Sequence, residues 1–264
     1  MAKKIIIPAL VVFFTAFVFM AFYGFDKQTI LEKKPTEEIE TPGGYDPIVV
    51  LELFTSQGCS SCPPADVLLQ KVKQQYPDKV FALSYHVDYW NYIGWEDPFS
   101  KSQYTTKQRF YNRKLGYNGN YTPEAIVNGR EHFVGSSSAK MNAKISKYGE
   151  TKAENKINLE NVNRRIKTVT FDFSVEGDLA NKLVRAVLVL DERTTSVKRG
   201  ENRSRILTNS NIVVAEKYLE VNGGAGSGQI TLPALVNPKD VITLMLITET
   251  DNLDVTGATK LKLL

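Results

Sequence analysis

The chain has 264 residues, 42% hydrophobic and 23% charged, which suits one large or two modest globular domains and excludes a disordered, collagen-like or multi-spanning chain. Its 33 Lys and Arg against 29 Asp and Glu leave a net charge of +4, with no basic run dense enough to mark a nucleic-acid surface. Two Cys and two His are too few for a disulfide-stapled mini-fold or a His- or Cys-rich metal centre.

Lys3 and Lys4 precede an apolar run from Ile5 to Tyr23, interrupted only by Pro8 and Thr15. A positive start followed by an apolar stretch is the pattern of an export signal, and this stretch approaches the ~20 residues that span a bilayer. Phe19, Phe22 and Tyr23 put bulky side chains where a signal peptidase needs small ones. Residues 1–25 are therefore read as an uncleaved membrane anchor, with Lys3 and Lys4 cytoplasmic. The alternative is a cleaved signal peptide, which would leave a periplasmic or secreted protein. Residues 26–46 are rich in acids, among them Asp26, Glu32, Glu37, Glu38, Glu40 and Asp46, and carry too few apolar residues to offset ordering entropy. They read as a flexible linker, with the folded part beginning near Pro47 in the cell envelope, outside the cytoplasm.

Residues 48–54 form a nearly continuous apolar run, as in a strand buried on both faces of an α/β sheet. The turn-rich Thr55-Ser56-Gln57-Gly58 leads into Cys59-Ser60-Ser61-Cys62-Pro63-Pro64. Ala65, Leu68, Leu69 and Val72 then recur at helical spacing, and Pro77 stops them. Two cysteines three apart, between a buried strand and a helix N-terminus, point to an exchangeable disulfide whose thiolate the helix end would stabilise. Cys59 is the expected exposed attacking sulfur and Cys62 the shielded resolving one. Pro63 and Pro64 delay the regular helix and disfavour a helical conformation at Cys62. A structural disulfide pinning the turn is the alternative.

A second strand opens at Lys79. Alternation puts Ser84, His86 and Asp88 on one face, and a parallel pairing would carry His86 and Asp88 to the sheet end that holds the cysteines. His86 is a candidate to stabilise the Cys59 thiolate or relay its proton, with Asp88 orienting it or binding a polar substrate group. The alternative is a satisfied, partly buried His beside a turn-capping Asp. Trp90, Tyr92, Trp95 and Phe99 crowd the following loop, as an apolar substrate rim with Trp90 and Trp95 in it or as a small core under the loop. Ser100 is a candidate cap for a helix with the stripe Tyr104, Gln108, Tyr111 and Leu115. Thr122-Pro123 enters a strand over 125–128, Asn128-Gly129 makes a turn into a strand over 131–134, and a helix over 136–148 closes the unit.

This order of elements resembles the thioredoxin fold. The resemblance implies that Cys59 attacks, that Cys62 resolves, and that Pro123, with Thr122 before it, is the cis-proline whose backbone takes the substrate. The segment from Glu52 to Asp66, with His86-Val87-Asp88-Tyr89-Trp90, Gly94-Trp95, Asp97-Pro98-Phe99, Tyr121-Thr122-Pro123 and Val127-Asn128-Gly129, also resembles the signature of the secreted domain-of-unknown-function family numbered 1223. A later block, Arg199-Gly200-Glu201-Asn202 with Leu207-Thr208, matches too. The family pattern carries a His after that Thr, where this chain has Asn209.

From Asn155 the pattern turns to period two. Strands are expected over 168–176, 183–190, 229–232, 241–249 and 259–263, and they suggest an antiparallel sandwich-like region. Residues 223–228, five glycines and serines with one alanine, read as a flexible loop. The whole is thus read as α/β: a thioredoxin-like domain at 47–152, then a β-rich domain at 153–264 that acts as a docking or packing module. The expected function is thiol–disulfide exchange at the Cys59–Cys62 pair, without a cofactor, on protein or small-molecule thiols and disulfides. The rivals are a binding protein with a lasting disulfide, and a copper-handling protein using Cys59, Cys62 and His86, since soft thiolates suit Cu(I).

Overall fold

The computed structural model describes residues 44–221 and 223–263, so the expected anchor and nearly all of the linker lie outside the described residues. No described helix is long and apolar enough to cross a membrane.

The fold is mixed α/β, built on one sheet of eight strands. Strand β1 (Val49–Thr55) leads into helix α1 (Pro63–Gln75), and β2 (Val80–His86) follows, parallel to β1 and in register from Val49 opposite Val80 to Thr55 opposite His86. Helix α2 (Ser102–Lys114) precedes the hairpin β3 (Glu124–Val127) and β4 (Glu131–Val134), and α3 (Ser138–Gly149) packs back onto it. Two long strands, β7 (Lys182–Ser196) and β8 (Ile206–Glu220), and the pair β10 (Ile242–Thr250) and β11 (Val255–Leu263) complete the sheet in the order β11-β10-β7-β8-β2-β1-β3-β4. A smaller sheet, β5-β6-β9, is made by Asn155–Arg164, Thr168–Gly177 and Ala225–Thr231. One sheet therefore runs across the boundary expected at 152/153.

Three apolar cores follow from this layering. Alternate residues of β1 and β2 (Val49, Leu51, Leu53, Val80, Ala82) pack under α1 and α3. The opposite face (Val50, Phe54, Phe81, Leu83, Tyr85) faces α2 and also Val187, Val213, Met245 and Val255. The main sheet coils around this second core until its far end returns: Val255 N–H donates to Asn128 O at 3.1 Å. Gly129 is required there, since its φ is +70° and a Cβ would lie 1.8 Å from Leu253 O. The small sheet closes the third core, with Phe171, Phe173 and Ile230 against the outer side of β7, β8 and β10. The two sheets thus pack face to face across this core, although the larger one also contains the N-terminal strands. Of the glycine-rich stretch, Gly223 and Gly224 form a turn, but from Ala225 onward it is strand β9 and not a loop. Gly226 and Gly228 lie over the rings of Phe173 and Phe171, where a Cβ would come within 2.8 and 2.3 Å, so the glycines leave room for aromatic rings.

The joint between the two halves of the sheet is thin in backbone terms, since β2 and β8 pair only at Ser84 and Ile212. Side chains complete it. Tyr104 Oη donates to Val213 O at 3.0 Å and Lys101 Nζ to Val214 O at 2.5 Å. Above all, fully buried Arg185 on β7 reaches Glu52 on β1, Glu249 on β10 at 2.9 Å and Tyr85 Oη on β2 at 2.6 Å. Tyr85 Oη in turn donates to Glu216 on β8, which Lys107 of α2 pairs at 3.1 Å. Burial would lower the Arg185 pKa, but Glu249 and Glu52 outweigh it, and the guanidinium stays charged. Removing one member of such a cluster strands the rest without water. Arg185→Met should therefore lower unfolding stability by about 3–5 kcal/mol, measured by denaturant titration. A loss below about 1 kcal/mol, the value of an exposed pair, would show that the cluster does not hold the joint.

Candidate functional site

The cysteines sit where β1 ends and α1 begins. Cys62 is the residue before the first turn of α1 and takes helical angles (φ −78°, ψ −39°) despite the following proline, contrary to the local expectation. The helix starts at Pro63, as the prolines suggested, because a proline at the first helical position lacks only an N–H that would have no partner there. The Cys62 N–H turns back to Cys59 O at 3.3 Å, and the two residues form a disulfide with Cα atoms 5.5 Å apart. Ser61 Oγ lies 3.4 Å from Cys59 Sγ and 3.5 Å from Thr122 O, which places the Thr122-Pro123 segment, its peptide bond cis, beside the cysteine turn.

Both cysteines are fully buried, at 0% exposure. That corrects the expectation of an exposed Cys59. The cover comes from the far half of the chain: residues 197–205, between β7 and β8, form a strap over the cysteine turn. Asn202, itself buried, donates its side-chain amide to Gln57 O and Cys59 O, both at 2.9 Å. Glu201 accepts from the Ser60 N–H at 2.9 Å, and the hydrogen bonds from Ser60 hold its carboxyl below the usual range.

A buried polar network supports the turn from behind. His86 Nδ1 lies 2.7 Å from Asp97 Oδ2, and Asp97 also accepts from the N–H groups of Gln57 at 2.8 Å and Phe99 at 2.9 Å. The His86 ring packs edge-on against Phe99, with centroids 5.3 Å apart. Asp97, not Asp88, orients His86. β2 ends at His86, the alternation stops there, and Asp88 accepts from Thr105 Oγ1 on α2 at 2.5 Å instead. Burial would lower the His86 pKa and raise that of Asp97, but each outweighs this for the other, aided for His86 by Asp66, so His86 is raised and Asp97 lowered. Asp66, one turn into α1, accepts from Thr55 Oγ1 at 3.1 Å, and burial lifts its carboxyl to about 7. His86 Nε2 and Asp66 Oδ1 have no hydrogen-bond partner among the described residues.

The aromatic loop serves the same turn. Trp95 Nε1 donates to Gln57 Oε1 at 3.2 Å and Trp90 Nε1 to Thr122 Oγ1 at 2.8 Å, so both indoles hold side chains that flank the cysteine turn, while Tyr92 is 83% exposed. Gln57 Nε2 completes its own set on Asn209 Oδ1 at 2.9 Å. Gln57, Asp66, Asp97, Glu201, Asn202 and Asn209 are the site residues that reading by spacing did not assign. The family-like blocks were their one signal: Gln57 and Asp66 lie within Glu52 to Asp66, Asp97 opens Asp97-Pro98-Phe99, Glu201 and Asn202 close Arg199 to Asn202, and Asn209 follows Leu207-Thr208. Among the described residues, no group of three or more His, Cys, Asp or Glu side chains is placed to hold a metal ion.

Residues 50–247 match the family described as a protein of unknown function, DUF1223. The chain belongs to this family. Among solved structures it is similar to a protein from Agrobacterium tumefaciens, 31% identical, with a TM-score of 0.60 over 83% of this chain and 94% of that one. Weaker likenesses, to a β-glucosidase from Kluyveromyces marxianus (9% identity, TM-score 0.21) and β-glucosidase 3B from Thermotoga neapolitana (12%, 0.21), each cover 44% of this chain and 14% and 16% of theirs. No curated protein matches the chain.

Two outcomes follow for this DUF1223 protein. Asn202→Ala removes two hydrogen bonds that hold the strap, each worth about 0.5–1.5 kcal/mol. Reduction of the disulfide by dithiothreitol, followed by thiol trapping, should accelerate roughly tenfold or more, and an unchanged rate would show that other contacts hold the strap. Asp66 keeps its proton to about pH 7 when folded and loses it near 3.8 when unfolded. The folded state thus binds the extra proton between these values, and stability must fall as pH rises through the window. Asp66→Asn removes this dependence. Its stability relative to the parent should rise by about 2–4 kcal/mol between pH 4 and pH 8 in denaturant titrations, and a difference constant with pH would contradict the assignment.

Proposed function

We propose that this protein exchanges disulfides through Cys59 and Cys62 on a thioredoxin-like scaffold, outside the cytoplasm, where a disulfide persists. The scaffold reading is supported by the parallel pair β1 and β2 joined through α1, the hairpin β3–β4 beside β1, and α3 behind it. The observation that carries the function is the place of the bond. It joins residues three apart at the amino end of a 13-residue helix, with the Thr122-Pro123 segment alongside. The positive end of the helix dipole favours a thiolate when the bond opens, without direct N–H donors, since Pro63 and Pro64 have none and those of Ala65 and Asp66 turn to Cys62 O. A disulfide closing so short a loop gains little from restricting the unfolded chain, so pinning the turn is a weak reason for it. His86 and Asp97 fix the loop behind Cys59 in this reading, with Trp90, Trp95 and Thr122 framing the approach.

Complete burial of both sulfurs favours a second reading, a binding protein with a lasting disulfide. The reduction potential separates the two. Exchange predicts a value near −100 to −250 mV, and a structural bond lies below about −300 mV. Equilibration of the full-length protein in glutathione or dithiothreitol redox buffers measures it, and a value in the lower range would overturn exchange.

A further inference from the structure

The strap that buries the disulfide also sets the charge around it. It carries Lys198, Arg199, Arg203 and Arg205 against one acid, Glu201, whose carboxylate is turned to the Ser60 N–H. Lys198, Arg199 and Arg203 are exposed, and among the described residues none forms an ion pair; Lys198 donates to Ser196 Oγ at 3.0 Å. Arg205 instead steadies the Asn202 amide, donating to its Oδ1 at 2.8 Å. Elsewhere Lys73, Lys107, Lys114 and Arg193 each face a carboxylate. The strap rests on the aromatic loop: Arg199 Cδ lies 3.8 Å from where a Gly94 Cβ would stand, and a Cβ on Gly200 would fall 2.9 Å from Ile93 Cδ1. Glu96 is the one exposed acid of that loop. The strap over the cysteines therefore holds cations without an ion-pair partner among the described residues, and it rests on the loop that carries the exposed Tyr92.

We propose that the strap selects the substrate, and that it selects a small thiol, or its disulfide, bearing carboxylates. This rests on the exchange reading above. The size follows from burial, because the strap held by Asn202 must part before any thiol reaches the sulfurs, and a small thiol needs the smallest parting. The charge follows from Lys198, Arg199 and Arg203, whose field concentrates anions at the strap. In the reducing direction, the substrate thiolate attacks Cys59 Sγ, the Cys59–Cys62 bond breaks, and its electron pair leaves on Cys62 Sγ as a thiolate. A second substrate thiolate attacks the sulfur of the first in the mixed disulfide and releases the Cys59 thiolate. Two thiolates are thereby oxidised to one disulfide and the pair gains two electrons; the reverse sequence oxidises the pair.

The test compares reduction of the full-length protein by mercaptosuccinate (anionic), 2-mercaptoethanol (neutral) and cysteamine (cationic), with each rate expressed per thiolate. At low salt, mercaptosuccinate should exceed cysteamine by at least about threefold, and the ratio should approach unity in 0.5 M salt, where the screening length shrinks to a few Å. Arg199→Glu with Arg203→Glu should abolish the ratio, and Arg199→Gln with Arg203→Gln should reduce it. The salt series on the unaltered protein needs neither variant to fold. A ratio below threefold at low salt, or one that ignores salt, overturns the selection by charge and leaves exchange standing. Failure of all three thiols to reduce the pair removes the exchange reading itself.

Discussion

Arg185 is the side chain on which the architecture depends. A sheet of eight strands ordinarily gains its continuity from backbone ladders, yet β2 and β8 share a single pairing here. Helix α2 and the buried ionic cluster replace the missing ladder. Through Arg185, strands β1, β2, β7 and β10 meet at one guanidinium, and Glu216 and Lys107 extend the set to β8 and α2. Guanidinium suits this place because its fixed fork of donors serves several oxygens at once, where an ammonium offers only a point charge. Such a cluster adds little net stability over an apolar core, but it penalises any arrangement that separates its members. It thereby favours one way of joining the two halves.

The joint matters for the cysteines because the strap descends from it. β7 and β8 run on past their contact with the core, and the segment between them reaches the end of β1. Burial of the disulfide is thus a property of the whole sheet: the C-terminal half supplies Asn202 and Glu201, and the N-terminal half supplies the turn they cover. The part read from sequence as a docking module is therefore also part of the site. Beneath the turn, Asp97, His86 and Asp66 are buried acids and a base whose ionisation is set by one another as well as by desolvation. The Asp97 carboxylate holds the Gln57 N–H and the imidazole together, so the geometry behind Cys59 is tied to the charge on His86.

Much of this was legible in the sequence where the signal is local. The apolar run before Cys59, the prolines after Cys62, the helical stripe through Tyr104, Gln108 and Tyr111, and the alternation of Val169, Phe171, Phe173 and Val175 each reflect which face of an element meets a core. Each became the expected element, with ends moved by a few residues. Where a local pattern was ambiguous, the reading failed for physical reasons. Glycines at 226 and 228 signal a loop when only chain entropy is weighed, but in space they give room to aromatic rings one strand away. β8 mixes Asn209, Ser210, Asn211, Glu216 and Lys217 with apolar residues, because its polar groups have partners on other elements and so leave no clean period.

The sequence by itself determined most of the elements, the cysteine pair at a strand–helix junction and membership of the family, since these rest on neighbours within a few residues and on motifs. Only the tertiary structure decided that the two halves share one sheet, that Asp97 rather than Asp88 orients His86, and that Asn202 closes over Cys59. Each of those pairings joins residues from 11 to 143 positions apart. The energy that selects them is burial of polar groups with satisfied partners, which depends on the whole packing and leaves no periodic trace along the chain.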